Sequence, residues 1–400
     1  MTFLAKRLSN IKPSPTLALT ARANELKAQG RNIINLGAGE PDFATPEWIC
    51  GAANQAMEKG QTKYTPVEGT VDLRKAIQQK FLRENDLKYE LNEIIVGTGG
   101  KQVLFNALMS TINPGDEVII PAPYWVSYPD MVELFEGKPV FVTCLEKDNF
   151  RLTPAHLKKA ITQNTKWLIL NSPSNPTGSV YTKEELEAIA GVLLKHPHVY
   201  VMSDDMYEHL LYDKQEFYTL AQVEPALKER ILTVNGVSKA YSMTGWRIGY
   251  AGGPKALIKA MTMVQSQSTS NASSISQAAA LEALSGDQAF LKEWTQIFGS
   301  RRFQVCEKLN SIPGLSCRLP KGAFYLYISC EGLLNKTTPS GGILQTDKDV
   351  ATYFLDFADV AVVHGQAFGL SPYFRISYAT SLELLLEACA RIEKAIAALR

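Results

Sequence analysis

The sequence predicts an α/β fold, a sheet wrapped by helices with a second, smaller domain attached. Three observations carry this. Short apolar runs alternate with longer amphipathic ones through the middle of the chain, the pattern of strands separated by covering helices. At 400 residues the chain is too long for one ordinary core. After Gln288 the texture changes to a long charged helix, short strands and a closing helix. Hydrophobic residues at 46% and charged ones at 20% give the balance of a globular protein. No stretch approaches the roughly 18 consecutive apolar residues of a transmembrane helix.

The elements follow in order. A helical pattern at 17–29 leads into "NLGAGEPDFATP", and residues 1–47 are expected to cross over and join the small domain. Residues 48–290 form the large domain. Its candidate strands are 94–96, 118–120, 140–142, 167–170, 199–202, 231–234 and 248–251, seven in all, with helices such as 101–112 and 183–195 between them. Thr182 opens the second of these helices, and Glu185 three residues on completes a capping-box signature. Residues 291–400 form the small domain, with strands around 323–327 and a helix over 381–400. The polar stretch "NKTTPSGGILQTDKD" at 335–349 is the one candidate for a flexible loop.

Charge excludes some partners. Lys+Arg 41 against Asp+Glu 40 leaves +1, without a basic stripe to follow a phosphate backbone, so neither nucleic acid nor membrane is expected. The six cysteines form no C-x-x-C pair and read as reduced packing residues. The opening MTFLAKRLSNIKPSPT is basic but has no apolar h-region or small-residue cleavage site, which predicts a cytoplasmic protein. His196 and His198 in a KHPH turn read as a solvated loop, and no metal is expected.

Ligands of an open α/β sheet collect outside the carboxyl ends of its strands, so the residues just after each strand belong together. After the first comes Gly97-Thr98-Gly99-Gly100-Lys101, a glycine-rich turn that opens a helix and aims bare N–H groups at an anion. After the fourth comes "NSPSNPTG", a rigid turn rich in prolines and in the amides of Asn171 and Asn175. The fifth ends in "SDDMYEHL", two adjacent carboxylates at the mouth of a buried strand, costly to desolvate unless they meet a cation or a protonated heterocycle. The sixth is followed by "NGVSKAYSMTGWRIGY", which carries Ser238, Lys239 and Arg247.

One ligand satisfies all of these groups, an anionic phosphate on an aldehyde-bearing pyridine. Arg247 and the N–H groups near Gly100 and Lys101 would hold the phosphate, Lys239 would form an imine with the aldehyde, and one carboxylate of the Asp204-Asp205 pair would keep the ring nitrogen protonated. Lys239, once freed, would serve as general base, and burial beside Arg247 would favour its neutral form.

Tyr64 together with "GEPDF", "PAPYW", "NPTG", "SDDMY", "SKAYSMTGWRIGY" and "FRISYATS" resembles the pyridoxal-phosphate-dependent aminotransferases of class I, fold type I, over essentially the whole chain. The similarity is strongest to bacterial aspartate aminotransferases of the branch that includes enzymes also acting on prephenate. The resemblance implies pyridoxal 5'-phosphate as cofactor, Lys239 as its imine lysine, Asp204 rather than Asp205 as partner of the pyridine nitrogen, and Tyr207 as donor to the ring hydroxyl with Asn175 beside it. Trp125 matches the residue stacked on the ring, and Ser238 and Arg247 match phosphate ligands. Tyr64 matches a phosphate ligand donated from the other subunit, which implies a homodimer with shared active sites. Gly39 and Arg375 match the site of the substrate α-carboxylate, which Trp125 and Asn175 also border.

Substrates so implied are amino acids and 2-oxo acids. Lys101 matches a lysine that meets the distal carboxylate of aspartate, glutamate or prephenate, and Lys12 in "NIKPSPT" matches a position associated with prephenate. The expected reaction moves the amino group of L-aspartate to 2-oxoglutarate, with prephenate as a second acceptor that would yield arogenate. A lyase or decarboxylase using the same cofactor on the same fold is the alternative, and a cofactor-free binding protein is disfavoured by intact Lys239, Asp204 and Arg247.

Overall fold

The computed structural model describes residues 3–11 and 13–400. Lys12 therefore lies outside the described residues. A seven-stranded sheet occupies the centre, and all seven apolar runs of the sequence lie in it. In chain order, after β1 (Ile34–Asn35), its strands are β2 (Ile94–Gly97), β3 (Glu117–Ala122), β4 (Lys138–Thr143), β5 (Thr165–Asn171), β6 (Tyr200–Asp204), β7 (Ile231–Gly236) and β8 (Gly249–Gly252). Across the sheet they run β2-β8-β7-β6-β5-β3-β4, and β8 alone runs opposite to the other six.

Most of the runs are apolar because both faces of the sheet are covered, the exception being the edge strand β4, where Phe141 is half exposed. Successive side chains alternate faces, so Val118 and Ile120 pack into one core with Trp167 and Ile169, while Ile119 enters another with Leu168 and Leu170. The helix Lys183–Leu193 starts at the capping box read from sequence: the Glu185 N–H donates to Thr182 Oγ1 at 3.3 Å, and the Thr182 N–H donates to Glu185 Oε2 at 2.9 Å.

A second sheet comes from the C-terminal third: β9 (Ser316–Cys317), β10 (Tyr325–Ser329), β12 (Val363–His364) and β13 (Tyr373–Ser377), ordered β12-β13-β10-β9. β11 (Val360–Ala361) pairs in parallel with β1, which ties the N-terminal segment to this part of the molecule. The core here is built from the helix Ala289–Asn310, the sheet and the helix Leu382–Ala397, and it also takes in Tyr207, Leu210 and Tyr212 from the turn after β6.

Two expectations need correction. The apolar run at 323–327 starts its strand two residues late, at Tyr325, because Ala323 takes a left-handed backbone (φ 56°) and its carbonyl accepts the hydroxyls of Tyr212 and Tyr378. The stretch 335–349 is tied down rather than free. Thr337 exchanges backbone hydrogen bonds of 2.9 and 3.0 Å with Arg400, Thr337 bridges to Ile343, and from Asp347 the chain is already helical.

Candidate active site

A cavity of about 410 Å3 opens at the carboxyl ends of the parallel strands and is roofed by the N-terminal segment and the C-terminal sheet. Asn171 and Asp204 end β5 and β6 as paired neighbours, and Ser238 and Lys239 follow β7 by two and three residues. Gly39, Gly100, Lys101, Trp125, Asn175, Tyr207, Arg247 and Arg375 complete the meeting of expected groups. Tyr64 is not in this wall. It stands 91% exposed on the surface.

The glycine turn is required by shape. Gly99 sits at φ 85°, and a Cβ there would fall 2.3 Å from Arg247 Nη2, so only a bare backbone lets the guanidinium lie against the start of the helix Gly100–Thr111. Arg247, itself at φ 55°, is held by donation from Nη1 to the Thr244 carbonyl at 2.9 Å. A planar cation beside free helix N–H groups is an anion cradle.

Lys239 donates from Nζ to the Gly39 carbonyl at 2.7 Å. Burial lowers its pKa to about 8, and Arg247 and Arg375 push the same way against Glu40 and Asp204. Asp204 is buried, and burial raises its pKa; Tyr128 opposes this by donating its hydroxyl to Oδ2 at 2.6 Å. Asp205 points away. Its Oδ1 accepts from Ser203 Oγ at 2.8 Å, and burial, with Glu208 nearby, drives its pKa up to about 7. Of the two carboxylates, Asp204 lines the cavity and Asp205 does not.

Arg375 is 2% exposed and forms no ion pair among the described residues. Nη1 donates to Asn175 Oδ1 at 2.9 Å, Nη2 to the Gly37 carbonyl at 2.5 Å, and Nε has no partner. The rings of Tyr325 and Phe368 lie 4.5 and 5.0 Å from its guanidinium carbon. A buried cation met only by neutral acceptors is a receptor for an anion. Lys101 places its Nζ 4.9 Å from the centre of the Trp125 ring, and burial and Arg247 lower its pKa.

Some wall residues were not read from sequence. Tyr128 clamps Asp204, and Tyr325 shares a 2.8 Å hydrogen bond with the Tyr207 hydroxyl and fills the space where any side chain at position 39 would stand. Thr16, Leu17 and Thr20 border the cavity from the helix Pro15–Ala28, and Glu40 accepts the Thr244 hydroxyl at its rim. All but Glu40, which belongs to the "GEPDF" motif, sit in a stretch that reads as ordinary strand or helix.

A strand-end cavity holding a desolvated lysine, a carboxylate and two arginines defines an α/β enzyme that works on small anions. The profile of the family described as aminotransferase class I and II matches residues 31–392, and the chain belongs to that family. It is 59% identical over 394 residues to a probable aspartate/prephenate aminotransferase of Rhizobium leguminosarum bv. phaseoli, covering 98% of both chains. It superposes with a TM-score of 0.97 on the crystal structure of the aspartate aminotransferase from Rhizobium meliloti, 57% identical with 100% of each chain covered. The aspartate aminotransferase from Thermus thermophilus with maleate gives 0.92 at 44% identity, over 99% of this chain and all of the other.

Proposed function

We propose that this chain transfers the amino group of L-aspartate to 2-oxoglutarate, giving oxaloacetate and L-glutamate, with pyridoxal 5'-phosphate held in the cavity. The buried, unpaired Arg375 is the observation that carries the reading, since its fork suits the α-carboxylate common to every amino acid and 2-oxo acid. Relatives named for aspartate, and one solved with maleate, support a dicarboxylate as substrate. The relative named for both aspartate and prephenate supports prephenate as a second acceptor. A lyase or decarboxylase is not favoured, because these relatives are named aminotransferases.

The residues fit the cofactor. The Gly99 cradle, which a Cβ would fill, and Arg247 suit its phosphate, joined by Ser238 and by Tyr64 reaching from a second protomer of a homodimer. Asp204 suits a protonated ring nitrogen, Tyr207 and Asn175 the ring hydroxyl, and Trp125 the ring face. The cofactor supplies an electron sink that lets an amino acid give up its α-proton. Lys239, whose pKa is lowered to about 8, sheds its own proton more readily than an exposed lysine and would take that proton and return it. Arg375 and Gly39 hold the α-carboxylate, and Lys101 holds the distal one.

The test measures product formation by the cofactor-loaded protein from aspartate or glutamate with oxaloacetate, 2-oxoglutarate and prephenate. Turnover of aspartate with 2-oxoglutarate is expected. No amino transfer from aspartate to any acceptor overturns the reading.

A further inference from the structure

Behind the turn that follows β6, side chains divide between two environments. Asp204 and Tyr207 face the cavity, whereas Asp205 and Glu208 enter a closed polar layer against the helix Val71–Asn85. In that layer Lys80 is wholly buried. Its ammonium forms an ion pair with Glu208, donates to Asn85 Oδ1 at 2.8 Å and lies 3.5 Å from Glu84 Oε2. Asn85 Nδ2 donates to the other Glu208 oxygen at 2.9 Å, closing a ring of three side chains. His209 Nε2 stands 2.9 Å from Glu84 and 3.6 Å from Glu208.

Glu84, Glu208 and His209 place their ligand atoms within 4.8 Å of one another, the spacing of a metal site, but Lys80 already supplies the cation. Burying a lysine and a glutamate together contributes little to stability, because the desolvation of both ions cancels most of their attraction. What such a pair does fix is geometry. Glu208 is covalently next to Tyr207, its N–H donates to the Asp205 carbonyl at 3.0 Å, and the Asp205 N–H donates to Val234 of β7 at 2.9 Å. The turn is therefore pinned from behind at both ends, by the sheet at Asp205 and by the helix at Glu208.

We propose that the buried Lys80–Glu208 pair is a positioning device for the reaction, holding the turn from Asp204 to Tyr207 against the helix Val71–Asn85 so that both cavity-facing side chains keep their placement on the cofactor ring. This rests on the function proposed above. Lys80, Asn85 and Glu208 are positioning residues, since none of them lines the cavity.

Lys80→Met, Glu208→Gln, the double variant and Asn85→Ala are compared as holoenzymes by thermal midpoint, by kcat and KM for aspartate, and by the dissociation constant of pyridoxal 5'-phosphate. Each charge-breaking single variant should lose stability, for it removes the nearest counter-charge of a buried ion, leaving Lys80 with Glu84 at 3.5 Å or Glu208 with His209 at 3.6 Å. The double variant removes both ions and should recover the midpoint, yet keep kcat at least about tenfold low with KM within about threefold, since displacements of about 1 Å can cost a hundredfold in rate. Wild-type kcat in the double variant shows that the pair only neutralises itself and overturns the proposal. Asn85→Ala keeps both charges, so it stays informative if the others fail to fold. It should lower kcat and weaken cofactor binding, and unchanged values for both overturn the proposal as well. Absent turnover by the unmodified protein strikes the functional reading, whereas undiminished variants beside an active wild type strike the positioning role alone.

Discussion

The Lys239 amine donates to the carbonyl oxygen of Gly39 at 2.7 Å, joining the end of the central sheet to a segment 200 residues earlier in the chain. Two residues before Gly39, the Gly37 carbonyl accepts from Arg375. The Gly37 and Gly39 carbonyls thus hold the two side chains with neutral oxygens, while Glu40 of the same stretch offsets only part of what burial and the two arginines do to Lys239. Arg375 is left able to take an anion and Lys239 able to lose its proton.

The proton affinity of Lys239 gives a pH signature. Its folded-state pKa of about 8 lies below the ordinary 10.5. The unfolded chain therefore keeps the proton to higher pH, and the destabilisation from the buried charge is fully present below about pH 8 and fades between there and about 10.5. In the cofactor-free protein, Lys239→Met should raise the thermal midpoint most below pH 8, with the gain shrinking as pH rises. Reductive labelling by formaldehyde, mapped by peptide, should be half-maximal near pH 8 at Lys239. A midpoint near 10, as for a solvated lysine, contradicts the depressed value.

Lys239→Ala should abolish amino transfer while the fold and some cofactor binding persist, because Arg247 and the amides of the glycine turn still hold a phosphate. In the unsubstituted protein, borohydride should fix the cofactor to one peptide, the one containing Lys239. Label on a different lysine sinks the assignment.

Asp204, the last residue of β6, and Asp205, the next, should separate cleanly. Asp204→Ala removes the group that lines the cavity and should slow the half-reaction with aspartate by about a hundredfold or more, in the range seen when a preorganised charge is lost from an active site. Asp205→Ala empties a place in the polar layer behind and should lower the thermal midpoint with a much smaller loss of rate. Stopped-flow spectra of the half-reaction, with melting curves beside them, compare the two. Equal losses of rate refute the choice of Asp204.

Parallel buried strands are legible because they are continuous apolar runs, and β6 departs from its run by starting one residue later, at Tyr200, and by running on through Ser203 to Asp204. Strand-end residues were legible for the same reason: once the strands are found, the topology says that Asn171, Asp204 and Lys239 converge. Contacts that depend on tertiary packing were not. Tyr325 sits in an apolar strand and reads as core, and Tyr128 reads as one more buried aromatic until its hydroxyl is seen on Asp204. Lys80 is the hardest case. A lysine in the charged helix "VDLRKAIQQKFLREN" reads as solvated, and only the packing of that helix against the turn after β6 buries it.

The proposed dicarboxylate substrate rests on Lys101, whose ammonium lies against the Trp125 ring. If that ammonium meets the distal carboxylate, Lys101→Ala removes one charge-assisted hydrogen bond and should lower kcat/KM for aspartate by about 1.5 to 3 kcal/mol, roughly tenfold or more. Phenylalanine has no second carboxylate, so its kcat/KM should hardly change. A lysine serving the cofactor phosphate would behave otherwise, since its loss would weaken cofactor binding and slow every substrate alike. Measuring kcat/KM for aspartate and phenylalanine on both proteins, together with the cofactor dissociation constant, separates the two roles, and a uniform loss across substrates refutes the dicarboxylate site.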